Sequence, residues 1–389
     1  MQGPQAQRAT GLTLRHDSVP MRLYHEAKRL GVWDPRDLEL GPDASDWTRL
    51  SVVERDVVLR LTALFLAAEE GMTRDLLPLL MTVVREDRLE EELFLTTFLA
   101  EEAKHTEFFR RVLDEVCRQS GELTRYQTPS FQQLFSEKLP TAMKRLLVDA
   151  SPPAQAEALV TYTLVGEGVL GDAGYRVLTR ALDGIMPGYR SGLGRAQADE
   201  ARHMAYGLFL LSRLVATDPS VWDAITHRMD DLLPVTLGIV SEFFEAYDHM
   251  PFGLSLADTI EYAIGQFAVR WAQLEEARDK IHGGAGTAAR AVPTEQEAGA
   301  VSEIRAWLAD AIGSGPIELG RDATGRVVVF QVGPERTPRL LITQDVLDQH
   351  SPADIVAALG ERVGALTGNP HARLTCMRIG RKIVVQALE

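Results

Sequence analysis

A lone glutamate followed 33 residues later by Glu-x-x-His occurs twice in this chain. Glu69 precedes Glu102 and His105, and Glu167 precedes Glu200 and His203. Glu and His at i, i+3 share one face of a helix. The gap suits one long helix out and one back, at about 1.5 Å of rise per residue. The pattern therefore sets a carboxylate on one helix opposite a carboxylate and an imidazole on the next, and does so twice. Apolar residues share the same stripes. Phe94, Phe98, Phe109 and Leu113 run with Glu102 and His105, and Leu193, Ala196, Gly207 and Leu210 run with Glu200 and His203. Both motifs thus point into a core.

Four carboxylates in a core repel one another and carry a large desolvation cost if ionised and unpaired. Two cations remove that problem. The alternative is a buried network of Glu–His hydrogen bonds, for which the sequence offers no partners at matching positions. Two helices giving one Glu each and two giving Glu-x-x-His are the ligand set of a ferritin-like dinuclear bundle. The expected fold is an all-α ferritin-like four-helix-bundle core with extra helices, plus a small C-terminal α/β domain.

The 389 residues are enough for two domains and a sizeable core. The net charge of −14 argues against general nucleic-acid binding and attraction to anionic membranes. No apolar run has transmembrane length, and the N-terminus lacks a basic-plus-apolar signal, so a cytoplasmic location is expected. Cys117 and Cys376 give neither a disulfide framework nor a zinc spacing.

Residues 1–18 are polar and mixed and are expected to be poorly ordered. Helices are expected near Met21–Leu30, over 50–84 with a kink at Pro78, over 87–119 and near 130–147. Ser151-Pro152-Pro153 starts a further helix holding Tyr162 and Glu167. Gly166, Gly168, Gly171 and Gly174 fall inside that helix, each costing roughly 0.5–1 kcal/mol relative to Ala. They mark either a broken, tightly packed helix or volume left open beside the metals. Residues 188–216 form the fourth metal helix, and amphipathic helices follow near 219–247 and 254–280. Leu232–Phe244 is strongly apolar, as core or as a pocket lining. Residues 19–282 then form the metal-binding domain. Residues 283–296, within a Gly-, Ala- and Thr-rich stretch from His282 to Gln296, read as a linker. Residues 297–389 read as the α/β domain, with helices over 297–313 and from Ser351 to Thr367. Its strands are expected at Pro316–Leu319, Arg326–Val332 and Arg339–Thr343, with a hairpin of Arg373–Ile379 and Lys382–Ala387 across Gly380. His350 and His371 are isolated and carry no motif.

Residues of about 10–285 resemble the R2-like ligand-binding oxidases, relatives of the ribonucleotide reductase small subunit. The likeness rests on Pro20-Met21-Arg22-Leu23, Trp33-Asp34-Pro35, the runs Glu69–Leu80 and Leu89–Glu115, Glu167-Gly168-Val169-Leu170 with Gly174-Tyr175, and Asp199–Leu214. The C-terminal 290–389 is outside it. The resemblance implies a heterodinuclear Mn and Fe site, with Fe/Fe as the alternative, assembled with oxygen. It also implies a homodimer and a long-chain fatty acid in a buried channel, its carboxylate on the metals. Carried over, Glu69, Glu102 and His105 hold one metal and Glu167, Glu200 and His203 the other, with Glu102 a candidate bridge.

Asp199 precedes Glu200, as in related proteins whose Asp hydrogen-bonds a ligand His, and is a candidate to orient His105. Glu70 and Glu101 adjoin ligands but are turned away by roughly 100° and are expected in solvent. Phe109 occupies the place of the reductase radical tyrosine; a stored phenoxyl radical there is excluded. Tyr162 matches the family tyrosine that cross-links to a valine three residues after the first Glu ligand. That place holds Met72 here. A Met CH2 stabilises a radical less well than the tertiary Cβ of Val, and the thioether is itself oxidisable. The expectation is no ether, or another oxidation product, with Tyr162 still available for oxidation or hydrogen bonding and Tyr175 beside it. Three functions are then open: an oxygen-activating oxidase, a metal-anchored lipid sensor or carrier signalling through the C-terminal domain, and a reductase small subunit.

Overall fold

The computed structural model describes residues 13–121, 123–281, 295–312, 317–321, 327–332, 339–343, 346–347, 350–360, 362, 373–379 and 382–388. The helices are α1 (Val19–Leu30), α2 (Gly41–Arg49), α3 (Val52–Asp75), α4 (Leu77–Arg85), α5 (Leu89–Arg111), α6 (Pro129–Gln132) and α7 (Leu139–Arg145). They continue as α8 (Pro152–Leu159), α9 (Asp172–Ala181), α10 (Pro187–Thr217), α11 (Ser220–Glu245), α12 (Leu256–Ile281), α13 (Glu295–Ile312) and α14 (Pro352–Gly360). Five strands, β1 (Ile317–Arg321), β2 (Val327–Val332), β3 (Arg339–Thr343), β4 (Arg373–Ile379) and β5 (Lys382–Leu388), form one sheet in sequence order. The class is a ferritin-like helical core with a small C-terminal α/β part.

Chain proximity gives two compact units, residues 1–158 with 174–210 and residues 159–173 with 211–389. In the first, α5 is the central rod, packed by α1, α3 and α4. The capping box of Ser51 and Glu54 starts α3 by satisfying its first free N–H groups. The expected kink at Pro78 is a full break: α3 ends at Asp75 and Pro78 sits in the first turn of α4. There its missing N–H costs nothing, because first-turn N–H groups have no partner inside the helix.

The start of α10 is bolted to α2. Buried Asp43 accepts from Gly188 N at 3.0 Å and Tyr189 N at 2.5 Å, and Asp46 accepts from Met186 N at 2.7 Å. These bonds satisfy free donors at the N-terminus of the helix that carries Asp199 to His203. One turn on, Gly192 lets the Phe108 ring of α5 lie where a Cβ would stand, with Leu38 Cδ1 at 2.9 Å from that position.

In the second unit, Val160–Gly171 is π-helical and packs against α11 and α12. Three of the four expected glycines, Gly166, Gly168 and Gly171, fall in this wound-out stretch. The fourth, Gly174, begins the chain's return to the first unit, where Phe65 Cζ is 2.7 Å from its missing Cβ. Close packing therefore explains Gly174. In the sheet, β3 and β4 are parallel and all other pairs antiparallel. Its buried face, with Phe330, Ile342, Leu374 and Cys376, shares a core with Ile304 of α13 and Ile355 of α14. Residues 1–12 and 282–294, His371, Gly380 and the helix end towards Thr367 lie outside the described residues.

Gly192→Ala is expected to lower the unfolding free energy by about 1–3 kcal/mol through overpacking against Phe108. Urea denaturation followed by circular dichroism checks it; an unchanged midpoint would show that Phe108 yields freely.

Candidate metal centre

Within the first unit the two Glu-x-x-His helices present their motifs to each other. His105 Nδ1 lies 3.5 Å from Glu69 Oε2 and 3.2 Å from Glu200 Oε1. His203 Nδ1 lies 3.1 Å from Glu102 Oε1 and 3.4 Å from Glu200 Oε2. Two groups of potential ligand atoms result, each within 4.8 Å: Glu69, Glu102, His105 and Glu200, and Glu102, Glu167, Glu200 and His203. All six residues of the doubled motif are present. Glu102 and Glu200 belong to both groups, so two carboxylates would be within reach of both metals, where the resemblance suggested Glu102 alone.

The imidazole–carboxylate contacts leave part of this cluster without a hydrogen bond. Among the described residues, both oxygens of Glu102, Glu200 Oε2 and His105 Nδ1 are buried with no hydrogen-bond partner. Buried polar atoms of native proteins are normally satisfied, and a cluster left open is costly. A Glu–His hydrogen-bond network therefore does not account for the cluster. Two cations do, and carboxylate with imidazole suits divalent first-row metals.

Electrostatics agree. Burial, then the neighbouring Glu102, pushes the Glu69 carboxyl up to about 8. Burial likewise raises Glu102. Burial also works to raise Glu200, but the close imidazoles of His105 and His203 outweigh it and hold it at about 2. For His105 burial disfavours the charged ring, yet Asp199, Glu200 and Glu69 outweigh it and push the pKa well up. Without metal, protons gather on the ligands.

Each histidine turns Nδ1 inward and Nε2 outward to a carboxylate. His105 Nε2 is 3.3 Å from Asp199 Oδ2, and His203 Nε2 is 3.0 Å from Glu101 Oε2. Carboxylates only accept, so both Nε2 atoms carry the proton, which leaves Nδ1 a lone pair for a metal. Asp199 also accepts from Trp33 Nε1 at 2.8 Å and Lys104 Nζ at 3.0 Å. Burial would raise its pKa, but these partners and His105 hold it far below the usual range. Phe98 stacks on the His203 ring with centroids 3.6 Å apart.

The structure corrects the expectation for Glu101, which is buried, not in solvent. The expectation assumed one wet face on α5, but α1 covers that face as well. Gly31 at the end of α1 abuts Glu101. No short-range signal announced this contact, although Asp199 and Arg202 at i, i+3 were a readable ion pair. Glu70 is exposed and paired with Arg74.

Met72, Tyr162, Tyr175 and Phe109 are all buried. Phe109 stacks on Phe65 at 4.9 Å, and Phe65 meets the Tyr175 ring at 4.7 Å. The Tyr175 hydroxyl makes no hydrogen bond among the described residues. Burial, then Glu69, Glu200 and Glu102, keeps that phenol strongly protonated.

Residues 21–263 match the family model of the ribonucleotide reductase small chain. The chain belongs to this family. Among solved structures, this small-chain member resembles R2-like ligand-binding oxidases over 67% of its length. One is a valine-to-leucine variant with anaerobically reconstituted Mn/Fe cofactor, at 33% identity and TM-score 0.64, covering 67% of this chain and 95% of that one. A tyrosine-to-phenylalanine variant matches with the same values. A valine-to-isoleucine variant, aerobically reconstituted with Mn/Fe, gives 32% identity and TM-score 0.65, with 67% of this chain and 95% of that one covered.

Metal binding must displace the protons held at Glu69 and His105, so affinity is expected to rise with pH up to about 8 and each loading to release protons. Calorimetry in buffers of different ionisation enthalpy checks this; equal heats in all buffers would contradict it. Glu102→Ala should lose both metals, since Glu102 serves both groups. Elemental analysis reads it, and retention of both refutes the assignment.

Proposed function

We propose that this chain is an oxygen-activating dinuclear carboxylate oxidase with Mn and Fe, or two Fe, as its metals. The observation that carries the reading is the convergence of buried carboxylate and imidazole atoms in two overlapping groups. The solved relatives with Mn/Fe cofactor support the choice of metals. Bound there, the metals supply the redox equivalents to activate oxygen.

The protein's own residues do the rest. Glu69, Glu102 and His105 on one side, and Glu167, Glu200 and His203 on the other, hold the ions, with Glu102 and Glu200 shared. Asp199 and Glu101 fix the tautomers of the two histidines. Tyr175 brings aromatic surface close to Glu69, Glu200 and Glu102, and Phe109 offers no phenol for a stored radical. A reductase small subunit is for that reason the weaker reading. Tyr162 and Met72 are the oxidisable side chains at the positions where the family forms its cross-link. The bound ligand is a long-chain fatty-acid-like molecule, and the oxidation falls on that ligand or on the protein's own side chains. In the second unit Leu232, Val240 and Phe244 of α11 are buried and the helix packs on the segment that carries Glu167. Residues 19–282 act as the metal domain and 297–389 as a separate α/β domain, in a cytoplasmic homodimer. Among the described residues no helix is long and apolar enough to cross a membrane.

One observation favours a second reading, a metal-anchored lipid sensor. Helices α11 and α12 contact both the Glu167 segment and β4 of the C-terminal sheet, a physical route from site to added domain. Oxygen uptake decides between them. Protein loaded aerobically with Mn and Fe, given reductant and fatty acid, is expected to consume oxygen repeatedly. A single stoichiometric uptake would favour the sensor.

Peptide mass spectrometry after aerobic loading is expected to show no Tyr162–Met72 ether. A linked peptide lighter by two hydrogen atoms would overturn the argument from Cβ chemistry.

A further inference from the structure

Between the two histidines, on the side away from the candidate metals, lies a single guanidinium. Arg202 is buried in the first unit. Its Nη2 donates to Glu101 Oε1 at 2.5 Å and also to Asp199 Oδ1. The other oxygens of these carboxylates, Glu101 Oε2 and Asp199 Oδ2, face His203 Nε2 and His105 Nε2. An unbroken chain therefore runs from His105 through Asp199, Arg202 and Glu101 to His203. Nη1 donates to Ala198 O, 2.9 Å away and one turn back, which fixes the guanidinium against α10. Gly31 leaves the space: a Cβ there would stand 2.9 Å from Arg202 Nη2 and collide with Glu101.

We propose that Arg202 is a positioning residue that ties the two metal positions together, by bridging the carboxylates that orient their histidines. The inference rests on the dinuclear reading above. A carboxylate shared with a guanidinium passes less negative charge to its imidazole than a lone one does, and it cannot rotate away. One cation thus sets the basicity and aim of both histidines. The dependence is unequal. Asp199 is also held by Trp33 and Lys104, whereas the contacts described for Glu101 are to Arg202 and His203. The position served by His203 depends on Arg202 more heavily.

The test is Mn(II) binding to the metal-stripped full-length chain, read from the loss of the free aqua-ion signal in electron paramagnetic resonance. Glu101→Gln and Asp199→Asn assign the two binding steps to His203 and His105. In Arg202→Met both steps should weaken, the Glu101-dependent step by about tenfold or more and the other by less. A generally loosened fold would shift melting without that ordering. Affinities within twofold of wild type at either step, or a larger loss at the Asp199-dependent step, would overturn the proposal. Should Arg202→Met fail to fold, the pair Arg202→Met with Glu101→Gln removes the buried charge left behind. The Asp199-dependent step must then still weaken relative to Glu101→Gln alone, and no change overturns the bridge. Wild type that binds no Mn(II) brings down the dinuclear reading and the proposal with it, whereas wild-type binding with an unmoved variant brings down the bridge alone.

Discussion

The structure depends on one electrostatic problem: carboxylates and imidazoles gathered where water is excluded. Taking such groups out of water costs several kcal/mol each unless they are paired. The fold brings the converging atoms to 3.1–3.5 Å of one another and still leaves several of them without a hydrogen bond. It holds them open instead. That choice explains the care taken elsewhere, with α10 capped by Asp43 at its start, α5 enclosed on several sides and both histidines pinned by carboxylates. An open charged cluster survives only inside a frame too stiff to let it collapse.

Much of this was legible in the chain. The doubled spacing named all six converging residues, because helical geometry converts spacing directly into direction. Asp199 was legible for the same reason, one residue ahead of a ligand. The strands and helices of the C-terminal part followed from alternation and capping at Ser351. Glu101 was not legible. Its burial comes from α1 covering a face that helical periodicity alone leaves wet, and a contact between Gly31 and Glu101 leaves no mark in local pattern. The π-helical winding of Val160–Gly171 was equally hidden. Clustered glycines announced an irregularity there but not its kind.

The two halves of the doubled motif are not equivalent in their supports. Asp199 has Trp33, Lys104, Arg202 and His105 around it, and its carboxylate is held firmly ionised. Glu101 has a sparser setting, while His203 gains a stacked ring from Phe98 instead. One histidine is aimed by charge and the other partly by shape. Such asymmetry is a physical basis on which a site of near-identical ligands could treat two different metals differently.

Position 31 shows where such a design keeps its information. The glycine ends α1 with φ −85°, a conformation open to any residue, so its backbone does not demand glycine. What demands it is the Glu101–Arg202 pair, which fills the volume a methyl group would take. A search for the chemistry of this protein by functional groups would pass over a residue that has none. Drift at this silent position would be felt first at the two histidines, as ligands that are present but wrongly aimed.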